Sequence, residues 1–198
     1  MPRKSVQEER RVQILSALNE CLMKKPFHKI SNMDIAKSAG VNHGVLYYYF
    51  KSKEDILLNY IDYTIRKNKD SFIEWLKKNA EKEEYAGNLS LKALNYMIKE
   101  ISMNRNLSKV FIEIWAIANY NSKVKKMMQS LYNEWENTIS GVIEEIGYSS
   151  EEAVKISLAL IAFFEGISLF TIIRNEKSKQ IDEILIEVKS YAESMIIK

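Results

Sequence analysis

The sequence predicts an all-α fold: a small N-terminal three-helix domain joined through a long fourth helix to a C-terminal helical bundle. Three observations carry this prediction. The only prolines of the 198 residues are Pro2 and Pro26, so nothing after residue 26 forbids long helices. Apolar residues recur at helical spacing through most of the chain. Helix-capping residues stand at regular places in the first 60 positions, where three short helices and part of a fourth fit.

Ser5-x-x-Glu8 resembles a capping box opening a first helix, with Ile14, Leu15, Leu18, Cys21 and Leu22 on one stripe and Pro26 ending it. Ser31-x-x-Asp34 caps a second helix, and Gly40 suits the left-handed position that closes it. Asn42 caps a third helix running to about Phe50. Ser52-x-x-Asp55 starts a fourth that extends toward Glu84, and Gly87–Asn88 marks a turn. Longer helices are expected at roughly 89–103, 107–119, 122–146, 150–174 and 179–196. Repeats, low-complexity stretches and a flexible linker are not evident. The predicted division is residues 1–60 and residues 61–198.

Charge is uneven along the chain. Residues 1–60 carry ten Lys/Arg against six Asp/Glu, and residues 61–198 carry nineteen against twenty. A basic N-terminal part suits a polyanion, although the excess is small. With one cysteine, Cys21, an internal disulfide or a cysteine-based zinc site is not expected. A signal peptide is not visible, and the longest nearly uncharged run, Ile156–Ile173, is broken by Glu165. The chain therefore reads as cytoplasmic, with no membrane partner. Neither a phosphate-binding glycine loop nor a Ser-His-Asp spacing stands out, so no catalytic residue, metal or cofactor is expected, and an enzyme is not.

The third helix divides into two faces. Leu46 and Phe50 are i, i+4 partners and should meet Ile35, Ala36 and Val41 in a small core. The opposite surface carries His43, Gly44, Tyr47 and Tyr48, with Val45 and Tyr49 on its borders. Gly44 alone gives up about 1 kcal/mol relative to alanine in a helix. A binding role accounts for that sacrifice, because a missing side chain lets the helix approach another molecule closely.

Ile35-Ala36, Ala39-Gly40-Val41, Gly44-x-Leu46-Tyr47-x-x-Phe50 and Ser52-Lys53-Glu54, in one ungapped run, resemble the N-terminal signature of TetR-type transcriptional regulators. The resemblance covers about residues 10–58. It implies a helix-turn-helix domain whose third helix enters the major groove of double-stranded DNA. His43, Gly44, Val45 and Tyr47 match the family's base-contacting positions; Tyr48, Tyr49 and Lys53 match its phosphate contacts. Ser31 and Asn32, opening the second helix, are expected to hold the phosphate backbone as well. His43 and Val45 replace residues that are commonly Lys or Arg and Thr or Ser, which leaves the operator sequence open. The chemistry agrees: a histidine serves a base edge, valine methyls suit a thymine methyl, and tyrosine hydroxyls suit phosphate oxygens.

The helices at 150–174 and 179–196 are more apolar than a single packed face requires. The resemblance implies that they pair with their twins in a homodimer, so that two reading helices meet a near-palindromic operator. Met97, Phe111, Trp115, Met127 and Trp135 are the candidates for lining an adaptable pocket for a small hydrophobic effector. The same residue types also make ordinary helical core. Two readings thus stand: a repressor released by an effector, and a ligand-independent architectural or partner-controlled DNA-binding protein.

Overall fold

The computed structural model describes residues 5–80, 92–93, 95–145 and 147–173, with isolated positions 89, 183, 186, 187 and 190. Among them every regular element is helical: α1 (Val6–Leu22), a 3-10 turn (Phe27–Lys29), α2 (Asn32–Ser38), α3 (His43–Tyr49), α4 (Lys53–Ala80), a π-helical segment (Met97–Ser102), α5 (Arg105–Ala118), α6 (Ser122–Glu145) and α7 (Ser150–Ile173). The expected helix at 179–196, the turn at Gly87–Asn88 and the end of the fourth helix toward Glu84 lie outside the described residues.

The caps form where the sequence places them. Ser5 Oγ accepts from Glu8 N at 3.2 Å, and Asn42 Oδ1 accepts from Val45 N at 2.9 Å. Ser31 and Asp34 close a full reciprocal box. Gly40 sits at φ 61°, the left-handed turn between α2 and α3. Pro26 departs from expectation: α1 ends at Leu22, and Pro26 instead caps the 3-10 turn.

The chain divides into two compact units, residues 1–67 with 109–128, and residues 68–108 with 129–198. In the first, α1 packs on α2 and α2 on α3. Ile14, Leu18, Ile35, Leu46, Phe50 and Ile61 are all but fully buried there. Residues 109–128 are tied to it by polar bonds: Phe27 N donates to Glu113 Oε1 at 2.7 Å, and Lys109 Nζ donates to the Met23 carbonyl. Asn121 Nδ2 and Lys123 Nζ donate to the Glu54 carboxylate at 2.8 and 3.0 Å, holding that acid below its ordinary range. Cys21 is buried in the same unit, and burial pushes its thiol pKa up.

In the second unit Phe72, Met97, Ile98, Phe164 and Ile167 form an apolar cluster, flanked by Trp75, Tyr96 and Trp135. Phe72 and Trp75 lie parallel at 6.4 Å, and Trp75 meets Tyr96 at 4.9 Å. α7 packs against the π-helical segment through one side. Its other side exposes Val154, Leu158, Leu169, Phe170 and Ile173, the last by 66%. By length and composition α7 could cross a membrane, at a mean hydropathy of 2.2, which the sequence run broken at Glu165 had not suggested. An uninterrupted 24-residue helix accounts for the difference.

Glu165 lies on α7 and accepts a bond from Tyr132 Oη at 2.9 Å. Burial pushes its carboxyl up to about 7, only partly opposed by that bond. The folded state therefore binds this proton more tightly than the unfolded chain. Its stabilising contribution is complete below the ordinary carboxylate pKa of 4.5 and is lost as pH rises through about 7. Glu165→Gln keeps an acceptor for Tyr132 and removes the charge. We expect the variant to exceed the wild type by roughly 2–3 kcal/mol in urea melts at about pH 8, and the gap to close toward about pH 5.

Candidate nucleic-acid interface

Burial of Leu46 and Phe50 turns the other side of α3 outward. His43, Gly44, Tyr47 and Tyr48 are exposed, while Val45 and Tyr49 are half-buried at the borders, in the order the sequence implies. Ring contacts link the members of the strip in pairs. The His43 and Tyr47 rings meet edge to face at 4.6 Å, and those of Tyr48 and Tyr49 at 5.0 Å. Gly44 has a second constraint besides close approach. A methyl group there would sit 3.3 Å from Asn42 Oδ1, the oxygen that caps α3, and press on it.

The start of α2 borders this strip. Ser31 Oγ accepts from Asp34 N at 3.1 Å and donates to Asp34 Oδ2 at 2.7 Å, so the hydroxyl is engaged in the cap. The Lys25 ammonium, 2.8 Å from Asp34, and the Ser31 bonds hold that carboxyl well below the usual range. Asn32 Nδ2 donates to Tyr47 Oη at 2.7 Å. Ser31, Asn32, Tyr47 and His43 are thus brought to one surface.

Lys53 is directed differently. Its ammonium donates to the carbonyls of Phe27 and Ile30 at 3.1 and 2.8 Å and stands 4.5 Å over the Phe27 ring. Two of its three N–H donors are thereby engaged in holding the 3-10 turn ahead of α2. Partial burial lowers its pKa.

The structure adds residues that the sequence reading passed over. Arg10 lines an open hollow of about 430 Å³ with Gly40, Val41, Asn42, Val45, Tyr48 and Tyr49. It is a cation beside the border of the strip, and only its place one turn into α1 could have marked it. Arg11 braces the strip from behind: its guanidinium donates to Tyr49 O at 3.0 Å and Asn59 Oδ1 at 2.8 Å, and lies 4.5 Å over the Phe50 ring.

The five candidate pocket residues do not fall in one unit. Met97 is buried in the apolar cluster of the second unit and Trp135 packs against it, whereas Phe111, Trp115 and Met127 lie within the 109–128 stretch of the first. An open groove of about 290 Å³ in the second unit is lined by Trp75, Lys92, Asn95, Tyr96, Lys99 and Glu100.

Residues 14–60 match the family model described as bacterial regulatory proteins, tetR family. The fatty acid metabolism regulator protein of Bacillus subtilis (strain 168) is 24% identical over 158 residues, spanning 79% of this chain and 78% of that protein. In fold, the chain is similar to a transcriptional regulator FadR from Bacillus subtilis in complex with stearoyl-CoA, with a TM-score of 0.69, 19% identity and coverage of 94% of this chain and 97% of that one. It is also similar to a putative transcriptional regulator from Saccharomonospora viridis in complex with choline, with a TM-score of 0.77, 19% identity and coverage of 94% and 96%.

The bonds of Lys53 yield a test. Lys53→Met keeps the alkyl stem and removes both charge-assisted bonds. Stability in urea should fall by about 1–3 kcal/mol. A lysine serving a phosphate alone would leave the unfolding midpoint unchanged.

Proposed function

We propose that this chain, which belongs to the TetR family of transcriptional regulators, is a repressor that grips a near-palindromic operator as a homodimer and is released by a small hydrophobic effector. The observation that carries the DNA-reading part is the exposed strip on α3, set opposite the buried Leu46 and Phe50. In the major groove, His43, Gly44, Val45 and Tyr47 face base edges. Tyr48 and Tyr49 take phosphate oxygens, Ser31 lies along the same backbone with Asn32 bonded to Tyr47 beside it, and the remaining donor of Lys53 joins them. Arg10, beside Tyr48 and Tyr49, adds a cation on that flank. The reading assigns no catalytic step and places the protein with its DNA in the cytoplasm.

Dimerisation is supported by the exposed apolar side of α7. Leu158, Phe170 and Ile173 are each at least half exposed, and an apolar row of this length is covered in a stable soluble protein. The occupant is the same helix of a second copy, and the two reading helices then lie about 34 Å apart in successive major grooves.

The effector part is supported by the apolar cluster with Met97 and Trp135, and by the stearoyl-CoA and choline in two similar structures. Phe111, Trp115 and Met127 belong to helices α5 and α6, which contribute residues to both units, as α4 does. An effector that prefers one arrangement of these helices needs a coupling of only about 1–3 kcal/mol to change operator affinity roughly 5–150-fold.

Duplexes selected from a random library by the purified protein supply the probe. Tyr47→Ala is expected to weaken binding of the selected duplex by about 1–3 kcal/mol in fluorescence anisotropy while the protein stays dimeric. Phe170→Glu should give a monomer in sedimentation and lose most operator affinity. A monomer with undiminished affinity refutes the dimeric grip, and an unchanged Tyr47→Ala refutes its base contact. Long-chain acyl thioesters and quaternary ammonium compounds, titrated into the complex, test release.

A further inference from the structure

The start of α2 carries an arrangement that a phosphate contact does not explain. Asn32 directs its amide nitrogen inward across the strip to the phenol oxygen of Tyr47, at 2.7 Å. Its amide oxygen is buried without a hydrogen-bond partner. Turning the amide over would place two donors where that single acceptor now sits, so the orientation shown leaves fewer groups unsatisfied. Tyr47 itself is 46% exposed, and the His43 ring stands edge-on to it at 4.6 Å. The ring is therefore held by His43 and the oxygen by Asn32.

A phenol has one proton to give and lone pairs to accept with. The Asn32 amide occupies the accepting side. Among the described residues nothing accepts the Tyr47 proton, which is therefore open to an acceptor at the exposed surface. We propose that Asn32 is a positioning residue that fixes the hydrogen-bond polarity of Tyr47, so that the tyrosine meets the duplex as a donor. It then selects acceptors: a purine N7, guanine O6, thymine O4 or a phosphate oxygen. The amino groups of cytosine and adenine are poorer partners, because Asn32 already holds the accepting side of the phenol. The proposal rests on the DNA-reading role of α3 set out above and replaces a direct phosphate contact by Asn32.

A double-mutant cycle tests it on duplexes selected by the wild-type protein. Affinity is measured for the wild type, Asn32→Ala, Tyr47→Phe and the double variant, with Asn32→Ser as a second short side chain that cannot reach the phenol oxygen. Circular dichroism melts check that each is folded. If Asn32 acts through the hydroxyl, each single change weakens binding by about tenfold, equal to about 1.4 kcal/mol, and the double variant is no weaker than Tyr47→Phe. Reselection separates the two sources of acceptor. Relaxed preference at one base pair, the same for Asn32→Ala and Tyr47→Phe, marks a base edge; uniform weakening with an unchanged motif marks a phosphate. Losses that multiply to about a hundredfold in the double variant overturn the proposal, because Asn32 then meets the DNA on its own. So does full affinity in Asn32→Ala and Asn32→Ser while Tyr47→Phe is weakened. Unchanged binding by Tyr47→Phe removes the tyrosine contact and this inference together, yet leaves DNA binding standing. Failure of the wild type to select any duplex sinks the broader reading as well.

Discussion

Leu46 and Phe50, one turn apart on α3, are buried to 0% and 1% exposure, and the exposed strip of α3 depends on where they go. A seven-residue helix has no stability of its own in water, since its nucleation penalty exceeds what one or two turns return. Burying these two side chains contributes about 1.5–3 kcal/mol each, which is what holds so short a helix in place. Because the two share one face, their burial also fixes rotation about the axis, and His43, Gly44, Tyr47 and Tyr48 must face out. Arg11 secures the far end by covering the Phe50 ring and bonding Tyr49 O, while Gly40 sets the near end with its left-handed turn. Replacing either apolar side chain by a small one would loosen orientation before it disturbed any residue on the exposed strip.

The fold was legible in the sequence where the determining interaction is local. Ser5, Ser31, Asn42 and Ser52 each accept a backbone N–H three residues on, so the spacing of the letters already contains the geometry. The two faces of α3 followed from periodicity for the same reason. What stayed hidden is what joins distant parts. Lys53 reaches carbonyls 26 and 23 residues away, Arg11 a carbonyl 38 away, and Glu113 an amide 86 away. The position of Lys53 at the start of a helix is visible in the sequence, whereas the turn it also braces is not. The π-helical segment Met97–Ser102 and the end of α1 ahead of Pro26 were missed as well, since backbone adjustments of this kind leave no periodic mark.

Two surfaces of the molecule break the usual rule that apolar and aromatic groups go inside, and they do so in different ways. On α3 the exposed rings carry hydroxyls and an imidazole, groups that still hydrogen-bond when water is displaced. On α7 the exposed row is Val154, Leu158, Leu169, Phe170 and Ile173, with nothing polar to offer. The first kind suits a partner rich in acceptors, the second a partner as apolar as itself. Hydropathy alone marks only the second, which is why α7 resembles a membrane span by composition.

The buried Cys21 gives the N-terminal helices a built-in clock. It is the single thiol of the chain, 7% exposed on α1, and its raised pKa leaves little thiolate at neutral pH. A small alkylating reagent reaches it only during excursions in which α1 lifts from its neighbours, so modification proceeds at the frequency of those excursions. All three tryptophans, at positions 75, 115 and 135, lie outside residues 1–60 and give fluorescence from elsewhere in the chain. Mass-resolved labelling of this one sulfur therefore times the breathing of the N-terminal helices without any engineered probe.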